Sequence, residues 1–472
     1  MAHYERLSAL DSLFLDLEDP NVHMHVGVAL LFDARPLHAP HGGLDMERIR
    51  AYYESRLALM PRYRQRLAYI PLERHPVWVD DDRFNLFYHI RHTALPQPGE
   101  ERQLKRRCGR ILSQKLDTTK PLWEIWVVEG LVGDRFALIA KTHHAMVDGI
   151  AGMDLLTTSL SPVQESAFEP ARPWQPRPAP TGAQLVAGEL MRRGARTAEI
   201  AGQALRVAAD PRRALASVRD AVTGVVEYLT PGTFPASHTT LNPELGPHRR
   251  FDWARFDLAA VKRVRAGLGG TVNDVVLATV AGAARRFLTA RGERLDGIDF
   301  RAMVPVNIRS EGEGGHAGNR VVNFVVALAV AEPDTRARYR RVMAEMQKQK
   351  VSHVTQGAEL IEELADWTVT GVLTQIINLA AERLAWNIVV TNVPGPQLPI
   401  FLLEAPLLET YPVVPLFKLQ GVGIALFSYN GGLFWGFNAD WDALPDLHDL
   451  VEALRAEFDD LQRLADRART AA

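Results

Sequence analysis

A chain of 472 residues with 54 basic and 56 acidic side chains carries a formal net charge of −2 and a single cysteine. That length exceeds one ordinary core and predicts two domains. Balanced charge removes the electrostatic footprint of a nucleic-acid binder, lone Cys108 excludes an intramolecular disulfide and fits a reducing compartment, and no run of about 20 apolar residues is present to span a bilayer. Met1 to Asp11 carries charges of both signs and no apolar segment, unlike a secretory leader.

The first part, to about Leu160, mixes helices and strands. Asp45 to Met60 predicts a helix with Asp45 as N-cap, interrupted at Pro61 and followed by Arg62, Arg64 and Arg66. Val77 to Val79 and Phe84 to His92 predict extended chain, and Glu100 to Leu116 a basic amphipathic helix carrying Cys108. Trp123 to Glu129 and Phe136 to Lys141 predict neighbouring strands joined by a turn at Gly130 to Asp134. A proline-rich stretch, Glu169 to Pro180, predicts a semi-rigid linker. Two Ala- and Arg-rich helices, about Ala183 to Ala209 and Arg212 to Leu229, follow it.

From about His238 the alternation resumes. Helices are expected at Leu258 to Leu268, Asn273 to Arg291, Thr335 to Val351, Ala358 to Trp386 and Asp446 to Arg469. Strands are expected at Phe300 to Val306, Val321 to Val330, Asn387 to Asn392, Gly421 to Tyr429 and Leu433 to Asn438. Ile388 to Phe417, broken by six prolines, reads as irregular beyond that strand. The division expected is 1–160, a linker and crossover helices at 161–237, and 238–472, each outer part mixed α/β.

The pattern that carries chemistry is His143-His144-Ala145-Met146-Val147-Asp148-Gly149, between the apolar run Phe136 to Ala140 and a helix-like stretch, Ile150 to Leu160. Imidazole is the one side chain whose ordinary pKa lets it take and return a proton near neutral pH. A strand end is a rigid mount for such a base. Adjacent histidines on an extended chain diverge, and no zinc-spaced cluster accompanies them, so no metal is expected. No Gly-x-Ser-x-Gly elbow accompanies them either. Two satisfied histidines and a helix-capping Asp148 remain the alternative.

Further blocks surround this motif. Leu7-Ser8-Ala9-Leu10-Asp11-Ser12-Leu13-Phe14 precedes Met24-His25-Val26-Gly27, and Pro121-Leu122-Trp123 precedes the histidines. Thr271-Val272-Asn273-Asp274-Val275, Val304 to Arg309 with Gly318-Asn319, Thr391-Asn392-Val393-Pro394-Gly395-Pro396 and Ser428 to Gly431 follow. The ordered set resembles the bacterial wax ester synthase/diacylglycerol acyltransferase family over nearly the whole length. The histidine motif alone is shared with a wider superfamily of CoA-dependent acyltransferases and peptide-synthetase condensation domains.

The resemblance implies two chloramphenicol-acetyltransferase-like domains forming a pseudo-dimer joined by the helical crossover. It implies transfer of a fatty acyl group from acyl-CoA, as co-substrate and with no further cofactor, to a diacylglycerol or long-chain fatty alcohol. His144 is carried over as general base, with no covalent intermediate, and His143 as support for the turn or the oxyanion. Asp148 is expected to point away from substrate and pair with Arg64. Gly149, beside Asp148, lets the helix start close to the sheet. Asn273 is expected to orient the acyl group or to cap a helix beside Asp274. Pro121 and Trp123 are expected to pack a tunnel wall, Asn392 to stand on a rigid loop at the domain interface, and Arg309 to support the site. A thiol mechanism at Cys108 is not expected.

The sequence departs from the family's pattern at Asn85, Asn307, Thr391 and Glu404-Ala405, which leaves acceptor preference open. Acyl transfer to another alcohol or an amine on the same fold, or an inactive lipid-binding protein, are the competing readings. A cytoplasmic enzyme with peripheral contact to the inner membrane face or lipid inclusions is expected. Leu185 to Arg206 and the apolar loop Pro399 to Leu403 are the candidate contacts. Sequence leaves the oligomeric state unknown.

Overall fold

Apolar runs separated by glycine- and proline-marked turns become the strands of two six-stranded sheets. The computed structural model describes residues 3–146, 158–192, 194, 235–308, 320–351 and 384–470. A small sheet near the start is formed by β1 (Glu5–Arg6), β4 (Pro76–Asp80) and β3 (Gln65–Tyr69), in that order.

The sheet that carries the histidines runs β12 (Phe401–Leu402), β13 (Ala405–Val413), β2 (His25–Asp33), β7 (Arg135–His143), β6 (Trp123–Leu131) and β5 (Ile90–Ala94). Only β5 and β6 pair in parallel; the other neighbours are antiparallel. The second sheet runs β10 (Arg320–Leu328), β9 (Phe300–Ile308), β11 (Ile388–Pro394), β14 (Val422–Tyr429), β15 (Gly432–Asp440) and β8 (Arg249–Asp257). Its β11 lies parallel to both neighbours, which makes that sheet mixed.

Around the first sheet stand α1 (Ala9–Asp16), α2 (Met46–Arg56), the short α3 (Leu86–His89) and α4 (Glu101–Leu112). Against the second stand α5 (Leu258–Leu268), α6 (Val272–Ala290), α7 (Thr335–Val351) and α8 (Leu447–Thr470). Caps explain several boundaries. Ser8 accepts from the Asp11 amide, Asp45 from the Arg48 amide, and Thr271 forms a reciprocal capping box with Asp274.

The expected division at 160 and 238 does not follow the sheets. Residues 401–413, from the C-terminal part, complete the N-terminal sheet by pairing with β2. The prolines of this stretch predicted irregular chain, yet Pro406 and Pro412 lie within β13. Beyond Pro406 the outer edge of β13 has no strand neighbour in its sheet, so Pro412 there removes no ladder bond. Of the apolar loop Pro399 to Leu403, Leu402 and Leu403 are fully buried in the first core, which removes them from any surface contact, while Pro399 is exposed and Ile400 and Phe401 are half-buried. Phe84 to His89 is not extended; Asn85 caps α3 by accepting from the Phe87 amide, and only residues from Ile90 onward form strand.

The proline-rich stretch is tied down. Arg177 makes an ion pair with Asp80 of β4, and Trp174 donates its indole N–H to the Asp81 carbonyl. Residues 182–192 are helical, with Leu185 buried against Ile70, Val77 and Val79 of the small sheet. The rest of the two expected crossover helices, and most of Ala358 to Trp386, lie outside the described residues.

The two sheets share one apolar seam. The first core includes Phe251, Trp253, Phe427, Tyr429 and Phe434 from the second sheet's strands. Trp253 stacks on Tyr411 of β13, ring centroids 4.6 Å apart. At Gly436 the strands touch: a Cβ there would stand 1.9 Å from the Pro412 carbonyl oxygen. Glycine is the residue that permits this approach.

Candidate active site

Strand β7 delivers the motif. Its last residue is His143, and His144 to Met146 turn in a single 3-10 turn. The amide of His143 donates to the Leu122 carbonyl at 2.9 Å, and the amide of His144 donates to the Met24 carbonyl at 2.7 Å. Two neighbouring segments thus hold the backbone of both histidines.

The rings point to different environments. His143 is buried, and its Nδ1 accepts from the Ala145 amide at 3.0 Å. An accepting Nδ1 leaves the ring proton on Nε2. That nitrogen lies 3.3 Å from Oε1 of Glu18. His144 remains partly accessible, and Phe14 of α1 stacks on its ring with centroids 3.8 Å apart and planes 23° apart. Burial, with a smaller contribution from His143, pushes its pKa down to about 4. It is therefore an uncharged imidazole at neutral pH, free to accept a proton.

Pro121, Leu122 and Trp123 are all buried. Trp123 donates its indole N–H to the Tyr63 carbonyl at 2.8 Å and stacks on His89 at 4.5 Å. The imidazole of His89 donates from Nδ1 to the Trp123 carbonyl at 2.7 Å, and burial takes its pKa down to about 4. The Leu122 carbonyl, between Pro121 and Trp123, accepts from the His143 amide and so braces the histidine turn.

Arg64 is buried, packed over Trp174 at 4.9 Å and Phe84 at 5.9 Å. Its guanidinium has no carboxylate within ion-pair distance among the described residues. Asp148, Gly149 and Arg309 lie outside the described residues. Asn273 is the second residue of α6, whose cap is made by Thr271 and Asp274, and that helix packs on α5, α7 and α8 in the second core. Asn392 is in β11, opposite Leu426, where the chain leaves the second sheet; the loop beyond it leads into β12 of the first. Cys108 is wholly buried on α4, and burial pushes its thiol pKa up, so it is a poor nucleophile.

Glu18 is not among the residues that the motifs single out. It follows α1 in a stretch with Asp16 and Asp19, so nothing in the local pattern marks it as the buried one. The hint lies further on, in His23, His25 and the motif histidines, whose ring nitrogens need hydrogen-bonding partners once buried together.

Two mixed sheets sharing a seam, with a pair of histidines at the end of a central strand, make a chloramphenicol-acetyltransferase-like fold. The structure is similar to the wax ester synthase/diacylglycerol acyltransferase from Marinobacter aquaeolei VT8, with a TM-score of 0.68 at 26% identity, covering 98% of this chain and 100% of that one. It is similar in fold to the first condensation domain of the calcium-dependent antibiotic synthetase, with a TM-score of 0.57 at 16% identity over 98% and 96% of the two chains.

Residues 7–276 match the wax ester synthase/diacylglycerol acyltransferase catalytic domain, and residues 317–462 match the C-terminal domain of the same family. The probable diacylglycerol O-acyltransferases tgs2 and tgs1 of Mycobacterium tuberculosis are 32% and 30% identical to it. They cover 96% and 95% of this chain, and 98% and 94% of their own lengths are matched. The chain belongs to the wax ester synthase/diacylglycerol acyltransferase family, and it is an O-acyltransferase that uses acyl-CoA.

Proposed function

We propose that His144 is the general base for direct transfer of a fatty acyl group from acyl-CoA to a diacylglycerol or long-chain alcohol. The observation that carries this is the uncharged His144 ring, held on a strand end and stacked on Phe14. The hydroxyl oxygen of the acceptor attacks the thioester carbonyl while His144 removes its proton. The tetrahedral intermediate then collapses, the C–S bond breaks, and the CoA thiolate takes that proton back from the imidazolium. A thioester is already activated, so no covalent enzyme intermediate is needed. The base contributes about 10²- to 10⁴-fold, and alignment of two long apolar substrates contributes at least as much.

His144→Ala tests the base. Release of CoA from palmitoyl-CoA should fall by at least about 100-fold in a protein that still folds. Offering hexadecanol and dioleoylglycerol in competition identifies the acceptor; relatives named as diacylglycerol O-acyltransferases favour dioleoylglycerol. Asp148 is proposed as the partner of Arg64, a reading supported by the buried guanidinium, which donates to the Glu54 carbonyl but has no carboxylate at ion-pair distance among the described residues. Asp148→Asn should then lower thermal stability as well as turnover.

The acceptor is water-insoluble, so the enzyme meets it at an interface. Among the described residues no single helix is long and apolar enough to cross a membrane. Contact through the helix at 182–192 is supported by exposed Leu190 and Met191 next to Arg192. Flotation with anionic and neutral liposomes at low and high salt tests this. Absence of binding to both at low salt would remove it.

A further inference from the structure

His144 has no acidic partner among the described residues, yet its position is held from two sides. Both holds lead back to one carboxylate. Glu18 sits just past the end of α1, and its side chain is 4% exposed. Its Oε1 accepts from the Met24 amide at 3.0 Å and lies 3.3 Å from Nε2 of His143. Its Oε2 lies 2.9 Å from Nζ of Lys115. Met24 is the residue whose carbonyl receives the His144 amide, and His143 is the residue whose Nδ1 receives the Ala145 amide. One route therefore runs through backbone to the peptide before the His144 ring, and the other through the His143 ring to the peptide after it.

We infer that Glu18 is the positioning residue of the double-histidine turn: it fixes the tautomer of His143 and the seat of Met24, and so the placement of His144. The inference rests on His144 being the base.

The surrounding groups agree with this assignment. His25 stands 3.7 Å from Oε1, but its Nε2 accepts from the Leu116 amide, so it offers Glu18 no proton there. His23 turns its Nε2 to the Pro20 carbonyl. Lys115 faces solvent on one side, while Lys141 is committed to the Ile111 and Gln114 carbonyls and Arg249 to Gly246 and His248. Burial pushes the Glu18 carboxyl up, but His143 and Lys115 together hold it below the usual range, so it remains an acceptor at both oxygens.

That double acceptance makes the inference testable. Glutamine has one acceptor oxygen and one donor nitrogen. With Lys115 present, a glutamine amide in place of the Glu18 carboxylate cannot accept from Lys115 and also from Met24 and His143. With Lys115 replaced by methionine, the conflict disappears and the oxygen can serve Met24 and His143 alone. We therefore compare Glu18→Gln, Glu18→Ala, and each combined with Lys115→Met, by steady-state kinetics with palmitoyl-CoA and hexadecanol or dioleoylglycerol. Thermal unfolding checks the fold of each.

Glu18→Gln is expected to lower kcat at least tenfold while KM for palmitoyl-CoA stays within about twofold, since the geometry lost is that of the base. Adding Lys115→Met should restore kcat at least about threefold to Glu18→Gln and give nothing to Glu18→Ala. If Glu18→Ala does not fold, the two glutamine variants carry the test. Retention of more than half of kcat by Glu18→Gln, a loss in KM alone, or no recovery on adding Lys115→Met would each overturn the inference. If His144→Ala abolishes turnover and the Glu18 variants do not, the role of Glu18 falls and that of His144 stands.

Discussion

The ring of Phe14 lies flat against the imidazole of His144, 3.8 Å between centroids, so the first helix of the chain forms one face of the proposed base. Such a stack is worth about 0.5–1.5 kcal/mol beyond its buried area. Phe14→Ala should therefore lower kcat by roughly 2- to 10-fold, as each 1.36 kcal/mol is a factor of ten. Phe14→Leu should fall between. Steady-state kinetics at saturating palmitoyl-CoA measures both.

Burial depresses the imidazoles of His23, His25, His75, His89 and His144 among the described residues, which gives a signed pH response. His144 and His89 titrate near 4 in the folded protein, against an ordinary value of 6.5. Below 6.5 the unfolded chain binds protons there that the folded chain does not, so stability is complete above 6.5 and is lost as pH falls toward 4. Melting temperature should hold from pH 8 to about 7 and decline below 6.5, and the decline should be shallower in His144→Ala. The free enzyme's kcat/KM should be flat across pH 6 to 8 with respect to this base.

Trp123→Phe separates bracing from chemistry. It removes the indole N–H that donates to the Tyr63 carbonyl, a hydrogen bond worth about 0.5–1.5 kcal/mol. The support of His143 comes through the Leu122 carbonyl, which the substitution leaves in place. A lowered urea midpoint with kcat within about threefold of wild type is expected, by denaturation and turnover on the same preparation.

Gly436→Ala should damage the seam between the sheets. The added methyl would meet the Pro412 carbonyl at 1.9 Å and Cζ of Phe251 at 3.2 Å. Neither a strand backbone nor a core ring yields cheaply, and overpacking of this kind costs about 1–3 kcal/mol or more. A fall in urea midpoint, or loss of soluble protein, is the expected result.

Cys108→Ala should retain most of the turnover, and iodoacetamide should label the native protein slowly. The thiol is wholly buried and held in its protonated form. Fast labelling that abolishes activity without unfolding would contradict this.

Elements whose patterns are strong were legible from sequence. Leu258 to Leu268 has the expected bounds and α7 starts at Thr335 as expected, because Asp257 and Gly269 bracket the first and Pro333 precedes the other. The strand leading into the histidines was equally clear, since an apolar run ending in polar residues has few alternatives. What failed is non-local. Nothing around Pro406 and Pro412 announces a strand whose partner is β2, nearly 400 residues earlier. Which carbonyl satisfies the N–H of Trp123 was not legible, because aromatic type does not reveal it. Glu18 was invisible because acidity is ordinary in a turn after a helix; its meaning appears only once Met24, Lys115 and His143 surround it.

The late strand β13 also has a temporal consequence. During synthesis β2, β6 and β7 leave the ribosome long before residue 413 does, an interval of some tens of seconds at ordinary elongation rates. Throughout it the outer edge of β2 is a bare row of peptide groups, one strand away from the histidine turn. The nascent chain thus carries the histidine turn on a sheet that stays unfinished until β13 arrives.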